Sequence, residues 1–284
     1  LAAGEIIKNN NNLFAIYITN FGCGPDSFIS HFFRKKMGGK PFLQIEIDEH
    51  SADVGIITRL EAFLDSLKNV NRLKKISSTK ESYKKTLIPS LDKRTIYIPN
   101  MTDHAFVLAS GFQAYGIPAE VFPKTDDYSV KLGRKFTSGK ECYPCVITTG
   151  DMLKLINSPD FSPEKTAFFM PSGQGPCRFG QYFRLHRMIL DEIGQTQIPI
   201  LSFMQDERMY EVLDKIGKDF TRLAWWGLVA VDLLEKRLRE VRPYEKVSGE
   251  TEKVYKEALN KVCHAIRKKQ NPKKVLKEFA LAIK

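Results

Sequence analysis

No apolar run in this chain approaches the length of a bilayer span. The longest, LAWWGLVAV at 223–231, ends against Asp232, too short for a transmembrane helix. A leader pattern is missing too: the chain opens LAAGEIIKNNNN, with neither a basic n-region nor an apolar h-region, so the expectation is a soluble piece of a longer or processed protein. Cysteine is scarce and odd in number, at five. That disfavours a disulfide framework and predicts a reducing, cytoplasmic setting in which thiols serve metals or redox chemistry. There is no GxxxxGK[ST] phosphate loop. SGQGPCRFG at 172–180 has the glycines but lacks the Lys-Ser/Thr that grips phosphates and magnesium, so ATP is not expected on this chain. A second CxxC, which would make a structural zinc site strong, is absent as well.

What is present is ordinary globular material: 284 residues with 43% hydrophobic content, enough for one large or two modest cores. Charge is uneven. The chain carries a net +11, but 242–284 alone holds 12 Lys and Arg against 5 Glu. That tail reads as two amphipathic helices. One covers 250–269, with Ser248 as N-cap and Val254, Ala258, Leu259, Val262 and Ile266 along one stripe; the other starts at Asn271-Pro272. Cys263 falls on the stripe and is assigned to packing. Basic helices without interleaved aromatics are solvated faces, so neither nucleic acid nor a membrane is expected as a partner.

Short β-branched runs alternate with helical patterns, the mark of parallel α/β units. Strands are expected at 94–100, 119–123, 145–149, 165–171 and 198–203, with helices at 102–115, 150–157, 178–193, 206–216 and 219–240. The first segment repeats the order in which this series ends: strand LFAIYIT, a Gly/Pro loop with Cys23, a helix, strand KPFLQIEI, an acidic loop and a helix. The expected division is 1–75 as the later part of a first α/β domain, 76–217 as a second, and 218–284 as a helical basic tail.

Chemistry concentrates in four thiols, all in Gly/Pro-rich segments: Cys23 in NFGCGPDSF, Cys142 and Cys145 in SGKECYPC, and Cys177 in SGQGPC. Three thiolates suffice to anchor a cubane and leave one iron open. Cys177 precedes a helix expected near Arg178, which sets a helix N-terminus and a guanidinium beside its sulfur. Gly173 and Gly175 allow backbone N–H groups to approach a cofactor closely. A thioredoxin-like dithiol needs its CxxC at a helix start after a strand, whereas CVITT is expected to run into a strand. Spacing alone leaves an iron–sulfur site, a zinc site and redox thiols all open.

Other polar clusters have plainer readings. Glu46, Asp48, Glu49, His50 and Asp53 could form a hard-metal or proton-transfer loop, but capping of the helix near Asp53 is favoured. Thr102, Asp103 and His104 follow a strand; two of them read as caps, which leaves His104 as the candidate catalytic residue. Lys140 and Glu141 either tune the CxxC or face solvent. Trp225 and Trp226 are read as packing.

The motifs GCGPDSF, KPFLQIEIDEHSADVGIITRLEAFLDSL, NMTDHAFVLASGFQAYGIPAEVFP, TSGKECYPCVITTGDMLK and FFMPSGQGPCRFGQY together resemble the acyl-CoA dehydratase activase-related proteins. In that family, ATP-hydrolysing activase modules are joined to a region similar to the cluster-bearing subunits of 2-hydroxyacyl-CoA dehydratases. The resemblance spans about 20–205. It implies flavodoxin-like α/β domains and a 4Fe-4S or double-cubane cluster at a domain junction. Cys142, Cys145 and Cys177 match the thiolate positions of the second half, and Cys23 the last cysteine of the first. Implied partners are an ATP-hydrolysing activase and an acyl-CoA or other small substrate, with a homodimer compatible with the scheme. The alternatives are a non-catalytic cluster-bearing module that docks an activase and a structural zinc protein.

Overall fold

The computed structural model describes residues 1–20, 24–70, 94–203, 213 and 215–282. These form a mixed α/β protein with parallel sheets, divided into two compact units: Leu1–Lys85 with Thr137–Tyr143, and Thr86–Phe136 with Pro144–Lys284. Among the described residues no helix is long and apolar enough to cross a membrane.

The first unit holds α1 (Ala2–Lys8), β1 (Ala15–Thr19), α2 (Asp26–Met37), β2 (Phe42–Glu46) and α3 (Asp53–Val70). β1 and β2 pair in parallel from Ala15 opposite Phe42 to Thr19 opposite Glu46. Phe33 of α2 organises the core. Its ring lies 5.3 Å from Tyr17 and 5.0 Å, edge-on, from Phe42, with Ala15 and Met37 buried around it. Gly38 ends α2 in the left-handed region, φ 59, where a Cβ is disfavoured. At the other end of α2, Asp26 accepts hydrogen bonds from the hydroxyls of Tyr17 and Thr19, each at 2.7 Å. Burial and this carboxylate push the Tyr17 phenol up to about 12.

The second unit is built on four parallel strands in the order β4-β3-β5-β6: β3 (Thr95–Ile98), β4 (Ala119–Val121), β5 (Thr166–Phe169) and β6 (Ile200–Leu201). Every residue of β5 is buried, as expected for a parallel strand covered on both faces. The helices are α4 (His104–Gln113), α5 (Asp127–Arg134), α6 (Tyr143–Ile156), α7 (Tyr182–Glu192), α8 (Phe220–Val241), α9 (Glu250–Arg267) and α10 (Lys273–Ala282). The helix expected at 206–216 lies almost wholly outside the described residues. The tail helices share one core with α4, in which Val107 meets Leu223, Val231, Leu234, Val262 and Ile266. Cys263 is 4% exposed there, a packing residue whose thiol burial pushes up. Two bonds lock the arrangement, Tyr255 Oη to Asp103 Oδ2 at 2.6 Å and Arg267 Nε to Gln113 Oε1 at 2.8 Å.

Two local expectations fail. The strand expected at 145–149 is the first half of α6, and α5, absent from the sequence reading, packs on it. A Cβ on Gly150 would stand 1.8 Å from the Ser129 carbonyl oxygen, and one on Gly133 2.0 Å from that of Val146. Paired glycines thus let two helices touch backbone to backbone, and this contact overrides the β propensity of Val146, Ile147, Thr148 and Thr149. The second failure is at α9. Gly249, with φ 85, occupies the N-cap position in place of Ser248. Glu245 satisfies the helix end instead, accepting from the N–H of Gly249 at 2.7 Å and of Thr251 at 3.0 Å.

Gly133→Ala and Gly150→Ala are each expected to destabilise the second unit by about 1–3 kcal/mol or more, since a backbone must move to admit the methyl group. Gly175→Ala, with nothing within 4 Å of its Cβ, should leave the urea midpoint unchanged. Equal midpoints for all three would refute the close helix crossing.

Candidate thiol site

α6 places the CxxC. Cys142 is the residue immediately before the helix, half-buried; Cys145 lies in its first turn and is 0% exposed. Pro144 is tolerated there because first-turn N–H groups have no helical acceptor. Thr148 Oγ1 donates to the Pro144 carbonyl at 2.9 Å, one turn back. The motif therefore opens a helix, which removes the objection to a dithiol that CVITT enters a strand, although the described element before α6 is α5 and not a strand. Cys177 is exposed at the N-cap position of a 3₁₀ turn, Arg178–Gln181, that leads into α7. The four described cysteines are not in disulfides. Cys23 lies outside the described residues.

The loop leading to Cys142 is wound about a buried carboxylate. Glu141 accepts from the Ser138 N–H at 3.0 and 3.1 Å, the Ser138 hydroxyl at 3.0 Å, the Gly139 N–H at 3.1 Å and His31 Nε2 of α2. Burial alone would raise this carboxyl, but the His31 and Ser138 bonds outweigh it and hold it down at about 2. Its neighbour Lys140 pairs with Glu46 at the end of β2. Of the two fates considered for Glu141, facing solvent is thus excluded. His31 was missed entirely; nothing about SHFF on a helix marks it, because its partner lies 110 residues away.

The remaining candidates separate. His104 shares Nδ1 with Thr102 Oγ1 at 3.1 Å and Nε2 with Asp232 Oδ1 at 2.9 Å. Both ring nitrogens are engaged, and the bond to Asp232 ties α4 to α8. Gly173 packs against Gly180, where a Cβ would stand 2.4 Å from the Gly173 carbonyl oxygen, while Gly175 borders open space. Arg178 is half-buried in the turn after Cys177. In the acidic loop, Asp48 accepts from the His50 N–H at 2.8 Å and the Ser51 hydroxyl at 3.0 Å, and α3 begins at Asp53. His50 is 82% exposed beside Glu49. Asp48 thus closes a turn ahead of α3, whereas capping of that helix was the reading favoured above.

α6 also carries a buried polar face. His186 of α7 lies against it, with Nε2 3.4 Å from Thr148 Oγ1, and burial lowers the imidazole to about 4. Asp151 accepts from Thr125 at 2.8 Å and is pushed up by burial. Its Oδ1 and Thr149 Oγ1 have no hydrogen-bond partner among the described residues.

Thiols are the donors that soft metals and iron–sulfur clusters select. Yet among the described residues no three His, Cys, Asp or Glu side chains lie close enough to hold a metal ion. The donor chemistry fits a cluster while the described arrangement does not gather the ligands, so no catalytic step is derived through one. Comparisons of the chain with protein-family models, with curated proteins and with solved structures found no match.

Two acid-labile groups give separate pH windows. His186 has a folded value near 4 against 6.5 for a free imidazole, so the unfolded chain binds the extra proton. The second unit should lose about 3 kcal/mol as pH falls from 6.5 to 4, and then no more from this group. Glu141, near 2 against 4.5, should cost the first unit a similar amount, lost between pH 4.5 and 2. Both tryptophans lie in the second unit, so their fluorescence isolates its unfolding. His186→Asn should flatten that unit's profile between pH 6.5 and 4, and an unchanged slope would exclude the buried neutral imidazole.

Proposed function

We propose that this chain is an iron–sulfur redox protein of the 2-hydroxyacyl-CoA dehydratase type, with flavodoxin-like α/β domains, acting in the cytoplasm. The observation that carries the reading is the placement of three cysteines at helix openings: Cys142 before α6, Cys145 in its first turn and Cys177 before the turn into α7. One sulfur is thereby held in the first turn of a helix, a second at the residue just before it, and the third by a glycine-rich loop that a cofactor can approach. Cys142, Cys145 and Cys177 are the ligands proposed for a 4Fe-4S or double-cubane cluster, with Cys23 as a further one. Such a cluster supplies single electrons at low potential. Glu141 holds the loop before Cys142 in register, and Gly175 leaves backbone open beside Cys177. The resemblance in sequence supplies the partners: an activase that hydrolyses ATP, and an acyl-CoA or other small substrate.

A second reading rests on a specific observation. CYPC opens a helix with its first cysteine half-buried and its second fully buried, which is the layout of a dithiol that cycles through a disulfide. Strictly anaerobic purification separates the two. Iron with acid-labile sulfide, lost in Cys142→Ser, Cys145→Ser and Cys177→Ser alike, supports the cluster. Absence of both, together with a reversible Cys142–Cys145 disulfide that is indifferent to Cys177→Ser, supports the dithiol. Stoichiometric zinc without sulfide would sink both in favour of a structural metal. If the cluster is present, ATP-dependent turnover of a small molecule with the activase distinguishes an enzyme component from a docking module.

A further inference from the structure

Apart from the thiol loops, the second unit has a pocket of about 170 Å³ whose lining includes Tyr115, Lys218, Asp219, Arg222, Trp226 and Lys269. Three cations face one carboxylate. We propose that this pocket binds the dianionic phosphate group of a small phosphorylated molecule, a site independent of the cysteines and of the function proposed for them.

Aromatic faces hold two of the cations. Lys269 Nζ stands 3.8 Å from the centroid of Tyr115, and the Arg222 guanidinium lies 5.4 Å from that of Trp226. A ring positions a cation without neutralising it, so its charge stays available to an anion. Among the described residues Lys218 and Lys269 have no carboxylate partner; Arg222 pairs with Asp219 at 3.2 Å. The lining thus carries two positive charges in excess, the complement of a phosphate dianion, with a guanidinium suited to bidentate contact. The volume is below that of pockets enclosing drug-sized ligands, which suits the charged end of a molecule.

The walls are built at some expense to the backbone. Asp219 (φ 67) and Lys269 (φ 57) are the two non-glycine residues with left-handed backbone among the described residues, and both line this pocket. Lys269 stops α9, its N–H bonding the Ile266 carbonyl at 2.9 Å. Glycine or asparagine serves that role with less strain, so the side chain is what distinguishes lysine there. Tyr115 Oη donates to the Lys218 carbonyl at 2.5 Å, and its ring lies so close on Gly217 that a Cβ would stand 2.1 Å from it. The tyrosine therefore fixes Lys218 from below while carrying Lys269 on its face.

In a Trp225→Phe background, Trp226 becomes the sole tryptophan and reports on the pocket. Inorganic phosphate and glycerol 3-phosphate are titrated against chloride at matched ionic strength. The expected result is a saturable change in Trp226 emission with phosphate groups but not with chloride. Tighter binding of the ester identifies an esterified ligand, and equal binding the free ion. Lys269→Gly relaxes the backbone, so it should retain or raise the melting temperature while weakening binding about tenfold. Lys218→Ala should weaken it similarly. The proposal is overturned if phosphate produces only the drift seen with chloride, or if folded Lys269→Gly binds phosphate as tightly as the parent.

Discussion

The backbone contact between α5 and α6 decides where the candidate site lies. With Ser129 and Val146 carbonyls pressed against the Cα atoms of Gly150 and Gly133, 143–156 has room only as a helix in close crossing with its neighbour. Everything said of Cys142 and Cys145 follows from this. As a strand, 145–149 would alternate its side chains between two faces, with Cys145 at its start and Cys142 in the loop before it. As a helix it buries Cys145 in the first turn and leaves Cys142 at the opening. Two glycines far apart in the chain thus set the geometry of a motif that contains neither.

A second constraint concerns charge. A buried carboxylate is costly unless donors surround it, and Glu141 meets that requirement with two backbone N–H groups, a hydroxyl and an imidazole. The loop 137–142 consequently has little conformational choice, because any other path would leave the carboxylate without its donors. Asp151 and His186 show the alternative outcome. With few partners, burial drives each toward its neutral form, which the interior of the second unit tolerates and which a charged Glu141 would not reproduce.

Much of the fold was legible in the sequence where local pattern and tertiary setting agree. β1, β2, β3 and β5, with α2, α3, α4 and α7, carry the β-branched runs and apolar stripes that parallel units need, and α8, α9 and α10 follow amphipathic spacing. The failures share one cause. VITT has strand propensity, yet its environment is a helix crossing; Ser248 is a good cap, yet Glu245 reaches the same N–H groups from four residues before Gly249. Both outcomes are fixed by folded geometry that residue propensity does not carry. The same holds for the site: the cysteines are visible by spacing, while His31 and the donors around Glu141 become visible only when the chain is folded.

β1 sharpens the contrast between the two units. AIYIT has the composition of β5's TAFF, apolar on successive residues, and β5 is buried along its whole length. β1 instead alternates, leaving Ile18 64% exposed. Among the described residues the first unit's sheet has two parallel strands, a marginal structure by itself, so this part of the unit cannot draw its stability chiefly from its sheet. It draws it from α2: Phe33 packs on both strands, Asp26 takes both β1 hydroxyls, and His31 bonds Glu141. One helix therefore holds the sheet, the strand hydroxyls and the loop before Cys142, which makes α2 the element through which a change in the first unit's core would reach the thiol loop.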